Sequence, residues 1–282
     1  MSTTDEQDTG AGSAREPDAV ALLAAAEAAV DEAAAVFRAN LGADPLITKA
    51  RGDFATEIDL AIERLLRDRL GAATGLPVYG EEFGGDADSA TGWVVDPIDG
   101  TTNYAAGFPA CAILVALMHR GEPVVAVADL PLMGLRLTAV RGGGTRRNGE
   151  EVTLAETPGR PVAIAFGSVI ARRDGTFPRG WRQSLLSAVG ESFPTIRISG
   201  SVGVDLACTA GGAFAGTVTF SPNLWDNAAG VLLIREAGGV VTDVAGRPWT
   251  PRSVGVLAGT PTVHARLREI IAGLQPPADF RA

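Results

Sequence analysis

The stretch Trp93-Val94-Val95-Asp96-Pro97-Ile98-Asp99-Gly100-Thr101-Thr102-Asn103 constrains this chain more than any other. Its apolar opening reads as a short buried strand, which delivers Asp96 at its end. Pro97 has no N–H to give to a sheet, so the ladder is expected to stop there. Asp99-Gly100-Thr101 then turns the chain. Two carboxylates three residues apart on such a turn can converge on one cation or bridge two, and the Ile98 carbonyl can add a neutral ligand. The amides of Gly100 and Thr101 can face the same space and hold a phosphate oxygen. A plain turn with Asx-type hydrogen bonds is the competing reading of the same residues.

Three other acidic segments stand beside apolar runs. Gly80-Glu81-Glu82 follows a predicted strand. Asp226, in Trp225-Asp226-Asn227-Ala228-Ala229-Gly230, begins an apolar helix and taken alone reads as an N-cap. Thr56-Glu57-Ile58-Asp59 has the spacing of a capping box.

Composition removes several alternatives. The net charge of −9 and the lack of a basic stripe speak against a nucleic-acid binder. A small phosphorylated substrate stays open, because bound cations reverse a local field. Two cysteines, Cys111 and Cys208, and two histidines, His119 and His264, are too scattered for a zinc site. Any metal is therefore expected to be a hard cation on carboxylates. No apolar run reaches membrane-spanning length, and a cytoplasmic protein with buried reduced thiols is expected.

Periodicity predicts a mixed α+β chain with layered α/β architecture rather than a barrel or a Rossmann domain. Residues 1–17 read as a disordered leader. Two helices follow, Asp18–Asn40 and about Thr56–Leu70, the second stopped by Gly71. Strands are expected at Leu76–Tyr79 and Trp93–Val95, then a meander of Ala112–Met118, Val124–Leu130 and Arg136–Val140. The second half alternates strands (Val162–Phe166, Ile196–Ile198, Gly216–Phe220, Val240–Thr242, Val254–Ala258) with helices (Gly180–Val189, Val202–Ala210, Asp226–Ala237, Thr262–Ala272). A soft boundary near Glu150–Pro161 divides the chain into an N-terminal half, 18–150, with most of the candidate ligands, and a C-terminal half, 151–282, that completes the site.

Three of these segments, in order, are those of one family. Gly80-Glu81-Glu82, Asp96-Pro97-Ile98-Asp99-Gly100-Thr101-Thr102-Asn103 and Trp225-Asp226-x-Ala228-Ala229-Gly230 through Glu236-Ala237-Gly238-Gly239 resemble the inositol monophosphatase family of metal-dependent phosphatases. The turn Gly142-x-Gly144-Thr145-x-x-Asn148-Gly149 adds to the resemblance, which spans about residues 18–272. It implies a layered αβαβα sandwich of the inositol monophosphatase/fructose-1,6-bisphosphatase type, and a homodimer. It implies two or three Mg²⁺ per site. Glu81, Asp96 and the Ile98 carbonyl would hold the first, and Asp96, Asp99 and Asp226 the second. Asp59 and Thr101 match the pair that orients the attacking water. Lys49 matches a basic residue of a mobile loop beside the site, and Gly200 and Ser201 match positions that touch the substrate's alcohol. The implied activity is hydrolysis of a small phosphorylated alcohol, inositol monophosphate first, with no need for a covalent nucleophile or a histidine base.

The departures concern that alcohol. Relatives that act on inositol phosphate often carry a Glu seven residues before the Asp of the Trp-Asp motif, where this chain has Thr219. Val202 and Gly203 stand where many relatives have two alanines. Histidinol phosphate, other sugar phosphates and 3′-nucleotides are therefore alternatives, as is a phosphatase-like regulatory protein. A haloacid-dehalogenase-type phosphatase needs Asp-x-Asp-x-Thr, whereas this chain has Asp-x-x-Asp-Gly-Thr with a proline inside. Neither a Gly-x-Ser-x-Gly elbow nor a P-loop is present.

Overall fold

The computed structural model describes residues 18–42, 57–156, 162–170 and 176–274, together with the backbone of 47–50 and 53–55. The expected leader 1–17 and Thr56, with its capping box, lie outside the described residues.

Helix α1 (Ala19–Ala39) is capped by Asp18, whose Oδ1 accepts from the Ala21 amide at 3.3 Å. Its buried residues Ala26, Ala29, Val30, Ala33, Ala34 and Phe37 recur every three or four positions and make one apolar stripe. A hairpin of β1 (Ile47–Ala50) and β2 (Asp53–Ala55) leads to α2 (Glu57–Thr74). Gly71 does not stop α2. The helix continues to Thr74, and Gly75, at φ +69°, takes the left-handed turn that ends it.

A sheet of seven strands follows in chain order: β3 (Val78–Gly80), β4 (Thr91–Asp99), β5 (Ala112–His119), β6 (Glu122–Leu130), β7 (Leu135–Val140), β8 (Thr145–Arg147) and β9 (Glu150–Val152). A short helix α3 (Thr101–Ala105) interrupts it after β4. Strands β3 and β4 are parallel, and the other neighbours are antiparallel. The second half supplies β10 (Ala163–Phe166), α4 (Arg179–Ser192), β11 (Thr195–Arg197), α5 (Val202–Ala210), β12 (Gly216–Val218), α6 (Leu224–Glu236), β13 (Val240–Thr242), β14 (Leu257–Gly259) and α7 (Pro261–Ala272). Its five strands run β11-β10-β12-β14-β13.

Alternation along β4 and β5 explains the layering. Trp93, Val95, Ile113 and Val115 face α1 and α2, while Val94, Leu114 and Ala116 face α5 and α6. Both faces of the sheet are thus covered, which is why Trp93–Val95 reads as an unbroken apolar run. Helix α6 lies between the two sheets and is buried almost continuously from Asn227 to Ile234. The far face of the five-stranded sheet packs on α4 and α7 through Ile164, Phe166, Leu185, Val189, Val263 and Leu267. The result is the expected αβαβα sandwich.

Pro97 does not end its strand. β4 pairs with β5 through Asp96–Leu114 and then Asp99–Ala112, so three steps on β4 oppose two on β5. Pro97 and Ile98 sit inside this bulge, where a missing N–H does no harm.

Candidate metal centre

The bulge has a consequence for its two carboxylates. Residues three apart on a regular strand point to opposite faces. The extra residue in β4 brings Asp96 and Asp99 to the same side, where Asp226, in the first turn of α6, meets them. One carboxylate oxygen from each lies within 4.8 Å of the others. Asp96 and Asp99 are buried, at 1% and 8% exposure, and Asp226 is half-buried.

Each carboxylate is held differently. Asp96 Oδ1 accepts from the Ile98 amide at 3.1 Å, inside the bulge. Asp99 Oδ2 accepts from the Ser201 hydroxyl and from the Gly203 amide at 2.6 Å. It therefore sits at the N-terminus of α5, a favourable place for a negative charge. Ser201 is the N-cap of that helix and accepts from the Val204 amide at 3.1 Å. Asp226 Oδ2 accepts from the Ser221 hydroxyl and from Asn223 Nδ2 at 3.3 Å. Asn227 Nδ2 fixes that loop by donating to the carbonyls of Ser221 (3.0 Å) and Asn223 (2.7 Å).

Glu81 lies just beyond β3, and its amide donates to the Val95 carbonyl at 3.3 Å, one residue before Asp96. Asp59, fully buried in the first turn of α2, accepts from Thr101 Oγ1 at 3.4 Å. The same hydroxyl reaches the Ile98 carbonyl at 3.1 Å, which keeps a second lone pair for another partner. Gly100 adopts φ +91° to turn the chain from β4 into α3, and a Cβ there would stand 3.0 Å from the Ala110 carbonyl.

The electrostatics of the cluster call for a cation. Burial first, then the charges of Glu81, Asp99, Asp226 and Asp59, holds Asp96 well above the usual carboxylate range. Burial raises Asp99 too, opposed by Ser201 and the first amides of α5. Asp226 is pushed up to about 7 by burial and by Asp99, opposed by Ser221 and Asn223. Buried carboxylates that raise one another in this way fit a hard divalent cation, whose charge offsets the desolvation and whose preferred donors are oxygens. The buried thiols are not part of this chemistry: burial raises Cys111 to about 12 and Cys208 to about 11.

The expected site residues thus fall into three groups. Asp96, Asp99, Asp226, Thr101 and Asp59 come together, with Glu81 close enough to act on the charge of Asp96. Ser201 is beside them, but buried and committed to Asp99 and its own helix; Gly200 precedes it, exposed and against the Asn103 side-chain amide. Lys49 lies in β1, and its side chain is outside the described residues. Sequence reasoning missed Ser221, Asn223, Ser199, Asp205 and Glu63. Ser199 Oγ donates to buried Asp205 at 2.7 Å and to the Ser201 carbonyl at 2.9 Å, which fixes the loop before α5. The signal for Ser221 and Asn223 is the turn sequence Ser221-Pro222-Asn223 just before Asp226.

Comparison with known proteins adds an independent line. The profile described as "Inositol monophosphatase family" matches residues 18–275. A protein named probable inositol 1-monophosphatase ImpA, from Mycobacterium tuberculosis, is 46% identical over 261 residues, covering 92% of this chain and 97% of its own. The inositol-1-monophosphatase ImpA of Mycolicibacterium smegmatis is 43% identical over 267 residues, covering 92% and 95%. Among solved structures, the extragenic suppressor protein SuhB of Bartonella henselae superposes with a TM-score of 0.82 at 28% identity, covering 90% of this chain and 99% of that one.

Proposed function

The chain belongs to the inositol monophosphatase family, whose members are phosphoric monoester hydrolases, and from that premise we propose that it hydrolyses a small phosphorylated alcohol with Mg²⁺, inositol monophosphate being the first candidate. The observation that carries this reading is the meeting of Asp96, Asp99 and Asp226 within 4.8 Å in a buried, mutually repelling cluster. Asp96 would be shared between two Mg²⁺ ions, one held with Glu81 and the Ile98 carbonyl and one with Asp99 and Asp226. A third, weaker ion near Glu81 is part of the proposal.

Bound at these oxygens, the cations supply Lewis acidity for the phosphoryl oxygens and lower the pKa of a water. The chain's own groups do the rest. Thr101 Oγ1, held between Asp59 and the Ile98 carbonyl, positions the water and passes its proton to the buried Asp59 carboxylate. The amides of Gly100 and Thr101 open α3 beside Asp99 and orient the phosphate. Attack of the water oxygen on phosphorus, in line with the ester oxygen, breaks the P–O(ester) bond with inversion, and the departing alkoxide takes a proton from solvent to leave as the alcohol.

The alcohol is less constrained. Thr219 is fully buried, and its hydroxyl accepts from the Val256 amide at 3.0 Å, so it brings no carboxylate to bear on sugar hydroxyls. Gly203 approaches Asp99 so closely that a Cβ would stand 2.8 Å from Oδ2 and 2.7 Å from Leu114, so alanine there would have to shift α5. Histidinol phosphate, other sugar phosphates and 3′-nucleotides remain in the proposed range. A homodimer is proposed as well, supported by the exposed apolar side chains of Phe108 (53%), whose amide donates to the Asn103 carbonyl, and Ile198 (50%), next to Ser199, whose carbonyl accepts from Asn103. No helix among the described residues is long and apolar enough to cross a membrane, and a cytoplasmic location fits the two free, buried cysteines.

The test is phosphate release with Mg²⁺ from inositol 1-phosphate, histidinol phosphate, fructose 1,6-bisphosphate and adenosine 3′,5′-bisphosphate. Release from at least one is expected, and Asp226→Asn should lower it at least about 100-fold with the fold intact by circular dichroism. Release that survives this substitution would sink the metal assignment.

A further inference from the structure

Glu63 is fully buried on α2, four residues beyond Asp59. An unpaired carboxylate in that position would be strongly destabilising, and its partners show why it is tolerated. Glu63 Oε2 accepts from the Glu82 amide at 2.7 Å, and Oε1 accepts from the Phe83 amide at 3.1 Å. Arg67, one turn further on, donates from Nε to Glu63 Oε1 at 2.9 Å. Arg67 also donates to the Val78 carbonyl at 2.8 Å and to the Gly84 carbonyl. Apart from the Arg67–Glu63 pair, which ties the two side chains together on α2, each of these bonds joins the helix to the segment 78–84, which carries Glu81.

That segment is otherwise a narrow loop. It is closed by Gly80 and Gly84, each donating its amide to the other's carbonyl at 3.0 and 3.1 Å. A Cβ on Gly80 would run into the Glu63 carboxylate, so glycine there is what lets α2 reach the loop. Outside the loop, Phe83 lies against the guanidinium groups of Arg64 (5.0 Å) and Arg67 (5.8 Å). On its other side, the Glu81 amide donates to Val95, next to Asp96. Glu81 is thus fixed from two directions, by β4 and by α2.

We propose that Glu63 and Arg67 are positioning residues for the metal centre: their bracket on the Gly80–Gly84 loop sets where the Glu81 carboxylate stands relative to Asp96. The inference rests on the reading of Glu81 as a metal ligand. It makes α2 a common support, since the same helix carries Asp59 to the Thr101 hydroxyl and Glu63 to the Glu81 loop. A side chain that merely stabilised the fold would act on metal-free and metal-loaded chain alike; a positioning residue acts through Glu81.

A double-mutant cycle separates these roles, with Mg²⁺ titrated calorimetrically into the metal-free chain. Glu63→Gln keeps the size of the side chain but replaces one of the two oxygens that accept the Glu82 and Phe83 amides with an NH₂ donor. It should weaken Mg²⁺ binding about tenfold, the scale on which groups that orient metal ligands act. Glu81→Gln should weaken it as well, and Glu63→Gln should then have no further effect in the Glu81→Gln background. Arg67→Lys, at a partly exposed position, carries the same cycle if Glu63→Gln does not fold. Wild-type Mg²⁺ affinity in a folded Glu63→Gln or Arg67→Lys chain overturns the bracket, as does an effect that adds in full to that of Glu81→Gln. Wild-type affinity in Glu81→Gln alone overturns the ligand reading of Glu81 and the bracket with it.

Discussion

Asp99 and Asp226 contribute the same group to the same centre, and burial raises the pKa of both, yet they are anchored in unlike ways. Asp99 is held by a helix terminus: the Gly203 amide and the N-cap Ser201 face it, and the loop before that helix is fixed by Ser199 and a second buried acid, Asp205. Asp226 is held by a loop: Ser221 and Asn223 reach it with neutral side chains, and Asn227 fastens their backbone. Backbone amides survive every substitution except proline and keep their direction while the helix stands. Side-chain donors can be deleted one at a time. The Asp99 arm should therefore tolerate loss of a side chain that the Asp226 arm does not, while its own support, an acid in an apolar place, should depend on pH.

The largest effect is expected from Asp205. Burial, with a contribution from Asp99, pushes its carboxyl up to about 8, although Ser199 opposes the shift. Its value in the unfolded chain is about 4. A group whose folded pKa is the higher one stabilises the fold fully below the unfolded value and loses that contribution as pH rises through the folded value. Wild type should thus weaken between about pH 4 and pH 8, whereas Asp205→Asn, which can still accept from Ser199, should not share this loss. Urea unfolding at pH 5 and pH 8, in the same metal-free buffer, should show the variant gaining on wild type by a few kcal/mol across that interval. An equal difference at both pH values would mean that Asp205 is not the pH-dependent support of the Asp99 arm.

Ser221→Ala comes next. It removes the hydroxyl donor of Asp226 and the acceptor of the Asn223 amide together. From that loop the carboxylate keeps the longer bond, the one from Asn223, and Mg²⁺ affinity should fall about tenfold with little change in metal-free melting. An unchanged affinity would show that α6, not the loop, aims Asp226, and the contrast between the arms would disappear.

How much of this could be read from the sequence depended on distance along the chain. Asp18 as a cap, the α5 range Val202–Ala210 and the strand Val240–Thr242 follow from local pattern, and the structure has them. At Pro97 and Gly71 the structure overrides local preference. A bulge absorbs the missing N–H of the proline. Helix α2 bears the cost of an interior glycine, about 1 kcal/mol, beside fully buried Leu70, and ends instead at Gly75. The hairpin β8–β9 showed only its Asn148-Gly149 turn, because three-residue strands are too short to display alternation. The acidic residues of the site were legible from their types and order. What orients them was not: Ser201 and Asp99 are 102 positions apart, and Gly203 and Asp99 are 104 apart. No spacing rule links such pairs before the chain has folded.

Ser201→Ala is the counterpart of Ser221→Ala and the smaller change. The serine does two things, donating to Asp99 and capping α5 through the Val204 amide. Loss of the cap should cost about 1 kcal/mol of stability, read in urea or as a lower Tm. Loss of the donor leaves Asp99 with the Gly203 amide and the positive end of α5. Mg²⁺ affinity should therefore change less than about threefold, well short of the Ser221→Ala effect. The two serines thus make opposite predictions for the same pair of measurements: one substitution lowers stability and spares the metal, the other spares stability and weakens the metal. If Ser201→Ala lost as much affinity as Ser221→Ala, the helix terminus would not be holding Asp99 by itself, and both arms of the centre would depend on a hydroxyl.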